Sequence, residues 1–327
     1  MSTRTAAESA LAIRASLEAA TWAPSVHNSQ PWSFAVSGDE ISVRADTDRK
    51  LRYSDPEGRQ LLISCGAALF NICTTLRCRG FEPVVRVLPD PDRPALLATV
   101  RLGESVTADE HIKALHAEIE RRRTHRSAFT DLPVPDRLME TLVQQAAAEG
   151  AQLTPVRAAQ AVRVVAALTE AAQNIQAQDR VLNLEVIRWA RPPGSARKDG
   201  VPADAYPADS ADTDPRFPQR DYAWRHDWGT RHDTEGGSTG VVALLTTSGD
   251  TRKAWIAAGQ ALQRVLLHAS AHGVSAAFHT QALEMHHLRE FLRQELCSGQ
   301  YPQMVMRLGI TFNQQAAVRR SLPDVVD

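Results

Sequence analysis

Residues 23–32 read Ala23-Pro24-Ser25-Val26-His27-Asn28-Ser29-Gln30-Pro31-Trp32. Two prolines fix the backbone at the ends of a short polar loop. The loop follows an amphipathic stretch, residues 8–22, in which Ala10, Leu11, Ile13, Leu17 and Ala20 recur at near-helical spacing. Pro24 ends that helix. Beyond the loop, Trp32, Phe34 and Val36 alternate with Ser33, Ala35 and Ser37, the period of a half-buried strand. Ser37-Gly38-Asp39 then turns the chain into a partner strand begun by Ile41 and Val43. A rigid loop of this kind offers Ser, Asn and Gln side chains and free backbone groups in a constant shape, which suits an uncharged, hydrogen-bonding ligand. An ordinary turn whose polar groups only cap the helix and the strand has the same composition.

Working outward, residues 46–59 form a charged connector, and LLISCGAALFNICTTLRCRG (61–80) reads as a strong helix closed by Gly80. Strands are expected around Val84, Val85 and Val87 and over Leu96–Leu102. Helices are expected over 109–126, 135–149 and 157–189, a buried strand over 241–247, and a helix over 251–272 ending at Gly273. Cys65-Gly-Ala-Ala-Leu…Arg-Gly80 resembles Ala258-Gly-Gln-Ala-Leu…His-Gly273, which points to a duplicated α+β unit. Residues 190–238 differ from their surroundings. They are rich in Pro, Gly, Asp and Arg, yet hold Tyr206, Phe217, Tyr222, Trp224 and Trp228. A disordered linker would be poorer in aromatics, so a lid or wrapped loop competes with a plain surface insertion.

With 327 residues and 43% hydrophobic content, the chain can bury a large core in two domains or two intimately packed halves. A net charge of −1 gives no global field for nucleic acid or an anionic membrane. The sequence has no obvious spanning run of ~18 apolar residues, and the first twenty residues carry Glu8 and Glu18 in a helical pattern rather than a leader's apolar block. Cys65, Cys73, Cys78 and Cys297 fit no zinc spacing, so reduced thiols and a cytoplasmic location are expected.

Two basic stretches remain. In Arg121-Arg122-Arg123-Thr124-His125-Arg126, residues Arg122, Thr124 and Arg126 alternate, and an extended backbone would place them on one side. Two guanidiniums and a hydroxyl converging on a point suit a phosphate, although a basic run is also commonly a solvated face. Arg319-Arg320 is a second phosphate candidate, or a polar tail.

APSVHNSQPW with its following WSFAV strand closely resembles the APxxxNxQPW signature of the FMN-dependent nitroreductase superfamily. RRTHRSAF resembles that superfamily's RxSxR/K…F element, with one extra residue before Phe129. The order is reversed relative to ordinary nitroreductases, in which the basic element comes first and the FMN site is built across a dimer interface. The resemblance is closest to the Acg subfamily, through DPEGRQLLISCGAALFNI (55–72), ERRRTHRSAF (120–129), DGVPADAY (199–206) and RRSLPDVV (319–326).

The resemblance implies an α+β nitroreductase-like fold of tandem duplicated halves, residues 1–105 and 106–327, that form an intramolecular pseudo-dimer, with 190–238 as the insertion. It implies one FMN per chain, with NAD(P)H as electron donor. Arg122, Thr124 and Arg126 match the element that holds the phosphate and the pyrimidine edge. Pro24, Ser25, Val26 and Asn28 match the loop that meets the isoalloxazine and ribityl. Phe278 to Gln281 align with the stretch near N5 and O4, where Thr280-Gln281 replaces the usual Glu-Gly and the backbone N–H groups would donate. Arg319 and Arg320 match C-terminal phosphate contacts. A monomer suffices for one such site, and a homodimer is compatible with it. Two functions follow: an oxidoreductase for nitroaromatic or quinone-like acceptors, or an FMN-sequestering protein with the insertion closed over the flavin. Neither requires a protein nucleophile.

Overall fold

The computed structural model describes residues 5–208, 213–224, 226–230, 237–312 and 317–327. Helix α1 spans Ala6–Thr21, opened by a capping box in which Thr5 and Glu8 satisfy each other's backbone donors. Strands β1 (Trp32–Ser37) and β2 (Glu40–Ala45) form the expected hairpin in register Trp32↔Ala45 to Ser37↔Glu40. Helix α2 (Arg59–Cys78) leads to β3 (Phe81–Val87) and β4 (Leu96–Ser105). The chain continues through α3 (Glu110–Glu118), α4 (Asp136–Ala147), β5 (Gln152–Pro155), α5 (Ala159–Gln178) and α6 (Arg180–Trp189). Two-residue strands β6 (Ala190–Arg191) and β7 (Val201–Pro202) pair in parallel at the root of the insertion. Then come β8 (Val241–Thr247), α7 (Arg252–Ala271), β9 (Val274–Phe278), α8 (His286–Glu295) and β10 (Tyr301–Ile310).

Among the described residues the strands form two four-stranded antiparallel sheets, ordered β1-β2-β4-β3 and β5-β8-β10-β9. Taken in chain order within each sheet, both orders are first, second, fourth, third, and in both a long helix joins the second strand to the third. The sequence match between Cys65–Gly80 and Ala258–Gly273 falls on those two helices. Its leading glycines are the crossing point. A Cβ on Gly66 would lie 2.2 Å from the Ile256 carbonyl oxygen, and one on Gly259 would lie 2.0 Å from that of Ile63. Backbone meets backbone there, and one continuous apolar core surrounds it, with Ala67, Ile72, Ala258 and Val265 fully buried. Helix α2 is long and apolar enough by composition to cross a membrane, contrary to the expectation above. The reason is burial: 83% of its most apolar window lies inside the fold.

Two expectations about elements change, and three elements went unread. The helix expected over 109–126 stops at Glu118, and Thr124 instead forms a parallel bridge with Ala276. The run of cations after Glu118 favours the site over the helix, because its extended path lets the side chains reach inward. The helix expected over 157–189 is two, because the Asp179 carboxylate caps a new start by accepting from the Val181 and Leu182 N–H groups. Strands β5 and β10 and helix α8 carried too mixed a pattern to be read. In β10, Arg307 interrupts the apolar run, yet it is 1% exposed, donating to the Thr239 and Ser127 carbonyls and the His279 ring.

The backbone of the last residues closes onto the first sheet. The Phe34 N–H donates to the Val325 carbonyl at 2.7 Å, and the Asp327 N–H to the Phe34 carbonyl at 2.9 Å. This covers the free edge of β1.

Gly259→Ala is expected to lower stability by about 3 kcal/mol, the upper end of overpacking costs, since neither helix backbone can yield without shifting a sheet. Thermal unfolding checks this, and an unchanged midpoint would show that the two helices can separate freely.

Candidate functional site

The loop before β1 is built against local preference. His27, Asn28 and Gln30 have φ of 54°, 52° and 50°, the left-handed region, and none is glycine. Long-range hydrogen bonds hold them there. Asn28 Nδ2 donates to the Gly200 carbonyl at 2.9 Å and the Val318 carbonyl at 3.1 Å, and the Gly200 N–H returns a bond to the Asn28 carbonyl at 3.1 Å. Gln30 donates to the Lys198 carbonyl at 2.9 Å and accepts from the Arg320 N–H at 2.8 Å. The loop thus ties together the root of the insertion and the C-terminal stretch, which is more than the capping turn its composition also allowed. Gly200 has φ 74°, and a Cβ there would strike the Trp189 carbonyl oxygen at 2.4 Å, so only glycine fits. Neighbouring Asp199 accepts from Arg49 at 3.0 Å, Arg191 at 2.8 Å and Arg197 at 3.0 Å. Against the upward push of burial, hydrogen bonds from Arg197, Arg191 and Arg49 hold its carboxyl well below the usual carboxylate range.

Two connected cavities lie beside this loop. The wider holds about 720 Å³ including its mouth, and the narrower about 390 Å³. Pro24, Ser25, Thr124 and Arg126 line both. The wide chamber draws on both sheets' surroundings: Val26 and His27 from the loop, Gln60, Ile63 and Ser64 from α2, Leu262 from α7, and Phe278, Thr280 and Met304 beside the second sheet. Its size falls in the range of small-molecule sites, about 300–1,000 Å³.

The narrow chamber is basic. Arg319 donates to Asn28 Oδ1 at 3.0 Å, and Arg126 donates to the Ala205 carbonyl at 3.2 Å. Arg122 is buried behind them, with Nε and Nη1 shielded from water and without a hydrogen-bond partner, as is Arg319 Nε. Among the described residues no carboxylate pairs with Arg122, Arg126 or Arg319. Burial, then Arg123 and Arg126, lower the Arg122 guanidinium to about 10. Burial, then Arg122, Arg123 and Arg126, push Arg319 well below its ordinary value. Buried cations that repel one another and lack counter-charges are costly, and an anion between them reverses the sign of each interaction.

Over the wide chamber the insertion contributes Gln219, Arg220 and Tyr222. Arg220 forms a buried ion pair with Glu284. Glu284 also accepts from Gln60 at 3.0 Å, Gln176 at 2.8 Å and Thr280 at 3.2 Å, so one carboxylate ties the insertion to α2, α5 and the segment after β9. Tyr222 meets His27 through Oη and Nδ1 at 2.9 Å. The described part of 190–238 is therefore packed on the site. Residues 209–212, 225 and 231–236 of that reading lie outside the described residues.

Of the residues expected from sequence, Pro24, Ser25, Val26, Thr124, Arg126, Phe278 and Thr280 line the wide chamber, and Asn28 and Arg319 the narrow one. Arg122 stands behind the narrow chamber. Two side chains turn elsewhere. Gln281 donates to the Pro218 carbonyl at 3.2 Å and to Gln173 at 3.3 Å. Arg320 reaches Asp46 at 3.5 Å and the Gln30 carbonyl at 3.3 Å. Neighbours in an extended chain face opposite ways, so with Arg319 turned inward Arg320 serves the loop's outer side. His27, which flanks the loop motif and reads from sequence as a structural hydrogen-bonder or an acid/base, also lines the wide chamber. Sequence reading missed Gln60, Ser64, Arg123, Gln219, Arg220, Tyr222 and Met304 as lining residues. The i, i+4 polar pair Gln60 and Ser64 in an otherwise apolar helix was the available signal.

Residues 119–310 match the model of the Nitroreductase family. The chain belongs to the nitroreductase family. The matched span begins just before the basic element and ends with β10, so in this nitroreductase the APSVHNSQPW loop lies outside it. Among relatives from Mycobacterium tuberculosis, "Putative NAD(P)H nitroreductase Rv3131" is 33% identical over 302 residues, 91% of this chain and 84% of the relative. "Uncharacterized protein Rv3127" is 30% identical over 299 residues, 88% of this chain and 83% of the relative. "Putative NAD(P)H nitroreductase acg" is 25% identical over 317 residues, 96% and 94% of the two chains. The solved structure of the FMN-dependent nitroreductase NfnB from Mycobacterium smegmatis in complex with NADPH is 18% identical with a TM-score of 0.39, covering 65% of this nitroreductase and 96% of NfnB.

Glu284→Ala would leave Arg220 buried without its counter-charge. The expected cost is about 3–5 kcal/mol, read from the urea midpoint. A change under 1 kcal/mol would mean that water reaches Arg220 freely.

Proposed function

We propose that the chain holds one FMN in the two connected chambers and works as an NAD(P)H-dependent flavin oxidoreductase on nitroaromatic or quinone-like acceptors. The observation that carries this reading is the narrow chamber, in which buried guanidiniums without counter-charges open onto a wider, mainly apolar chamber. A phosphorylated ring system has that distribution of charge. The phosphate would lie among Arg122, Arg126 and Arg319, and the ring system in the wide chamber between the Pro24–Val26 loop and Phe278–Thr280. When bound, FMN supplies hydride transfer. The protein's residues bind, orient and shield it: Arg126 stands on the wall shared by both chambers, where a cation stabilises negative charge on a reduced ring, and the N–H groups around Thr280 and Gln281 are the candidate donors to its far side.

The proposed site needs both halves, residues 1–105 with the loop and α2, and residues 106–327 with the basic element. A monomer is then sufficient, and a homodimer remains compatible. The partners inferred are small molecules rather than nucleic acid or a membrane. Four cysteines without disulfides accord with a cytoplasmic location.

One observation favours a second reading. Gln219, Arg220 and Tyr222 of the insertion line the wide chamber, as a protein that sequesters FMN with little turnover would require. Purified protein is expected to be yellow in either case. Saturable oxidation of NADPH with a nitro or quinone acceptor, well above that of free FMN, supports the oxidoreductase. Turnover no faster than free FMN supports sequestration, and so would a deletion of 195–235 that speeds reduction or releases flavin. A colourless protein that takes up no FMN ends both readings.

Arg122→Ala is expected to weaken FMN binding by roughly 1.5–3 kcal/mol, about 10- to 150-fold, the scale of a charge-assisted hydrogen bond. Fluorescence titration with FMN reads it directly. Unchanged affinity would remove Arg122 from the phosphate site.

A further inference from the structure

The wide chamber contains a pair of groups that cofactor binding alone does not account for. His27 is 3% exposed and Tyr222 is 7% exposed, and both line the chamber. His27 Nδ1 and Tyr222 Oη are 2.9 Å apart, with the rings edge to face at a centroid distance of 5.7 Å. The other ring nitrogen, His27 Nε2, is shielded from water and has no hydrogen-bond partner. The residue is held in the left-handed region at φ 54°, so the imidazole is placed at a conformational cost. The geometry points to Tyr222, paired with His27, as the acid that protonates the oxygen of the hydride acceptor in this cavity. This rests on the oxidoreductase reading proposed above and names a catalytic residue for it.

The proton count of the pair supports the assignment. Burial, then Arg220 and Arg126, hold His27 well below its ordinary value, so the ring is neutral and carries one proton. Imidazole and phenol together then hold two protons. One lies in the bond between them. The other is left over, on Nε2 if Tyr222 donates, or on Tyr222 Oη if Nδ1–H donates.

The step balances. A quinone accepts a hydride from the reduced flavin at one carbonyl oxygen, both C=O π bonds open as the ring becomes aromatic, and an electron pair settles on the other oxygen. That oxygen forms an O–H bond with the Tyr222 proton as the phenolic O–H breaks. The phenolate, held by the hydrogen bond from His27 Nδ1–H, is then reprotonated by water entering the chamber, and His27 keeps its proton. The net change is one hydride and one solvent proton added to the acceptor, and both side chains return to their starting state. Burial raises the Tyr222 phenol above its ordinary value, and Glu284 acts in the same direction; the charges of Arg126 and Arg220 offset part of this by favouring the phenolate. Arg220 donates to Thr280 Oγ1 at 3.1 Å, which places that cation between the pair and the residues after β9.

The test uses FMN-loaded protein reduced with dithionite under anaerobic conditions, then mixed with either a benzoquinone or ferricyanide. Ferricyanide takes electrons without a proton. Tyr222→Phe is expected to slow reoxidation by the quinone about 100-fold relative to reoxidation by ferricyanide. His27→Phe, which keeps a ring but removes the hydrogen bond to the Tyr222 oxygen, is expected to lower the same ratio by about tenfold. Equal slowing with both oxidants would make the pair structural, and no slowing with quinone would remove Tyr222 as the acid.

A readout independent of turnover is the imidazole ¹⁵N spectrum of cofactor-free protein. It is expected to show His27 neutral at pH 7, with an Nδ1 signal that moves on Tyr222→Phe. An imidazolium, or an Nδ1 signal blind to that substitution, overturns the pair. If the wild-type protein binds no FMN, the reading beneath this one has failed, and the acid assignment goes with it.

Discussion

The crossing of α2 over α7 governs the molecule. Two glycines allow the helix backbones to touch, and side chains of any size at those positions would move one sheet away from the other. The same helices face the wide chamber, α2 through Gln60, Ile63 and Ser64, and α7 through Leu262. The contact that joins the two α+β units therefore also sets the width of the cavity between them. Stability and ligand geometry cannot be adjusted separately at this seam, because the interior is packed without slack.

Charge compensation separates the arginines that join segments from those around the narrow chamber. Arg191, Arg49 and Arg197 share Asp199; Arg289 has Asp250 at 2.7 Å; Arg220 has Glu284. The Arg49–Asp199, Arg289–Asp250 and Arg220–Glu284 pairs tie distant segments together. Arg122 and Arg126 come from one stretch and Arg319 from the far end of the chain, and among the described residues they converge without a carboxylate. Arg123 and Arg319 flank the Trp22 ring at 5.0 and 5.4 Å, which offsets part of the repulsion through the ring's negative face. The fold tolerates the remaining imbalance because the surrounding core and loop bonds over-determine it.

Much of this was legible in the sequence because its signals were local. Proline spacing marked the loop, and alternation marked β1. The duplicated unit showed itself through Gly66 and Gly259, whose role as a contact between helices no periodicity reveals. The alternation of Arg122, Thr124 and Arg126 pointed to one inward-facing side, whereas Arg123 lines the narrow chamber with Thr124 and Arg126, and Arg122 stands behind it. What stayed hidden depends on partners far along the chain. Arg320 turns outward because Arg319 turns inward, which consecutive arginines do not disclose. Arg220, Tyr222 and Glu284 acquire meaning only when the insertion folds back over α2, and His27 only when Tyr222 arrives. Strand β10 was obscured by Arg307, whose burial relies on acceptors from three other segments.

The narrow chamber is closed by bonds between residues almost a full chain length apart: Asn28 with Arg319 across 291 residues, and Gln30 with Arg320 across 290. Contacts of such long range form late, after the sheets and the helix crossing have brought those segments together. A flavin phosphate bound there as proposed would arrive at an assembled but self-repelling pocket, and its effect would be to drain the population of partly opened forms by mass action. The loop and the C-terminal stretch would accordingly be the first regions to lose amide protection when the ligand leaves, while the crossing of the two long helices would be the last.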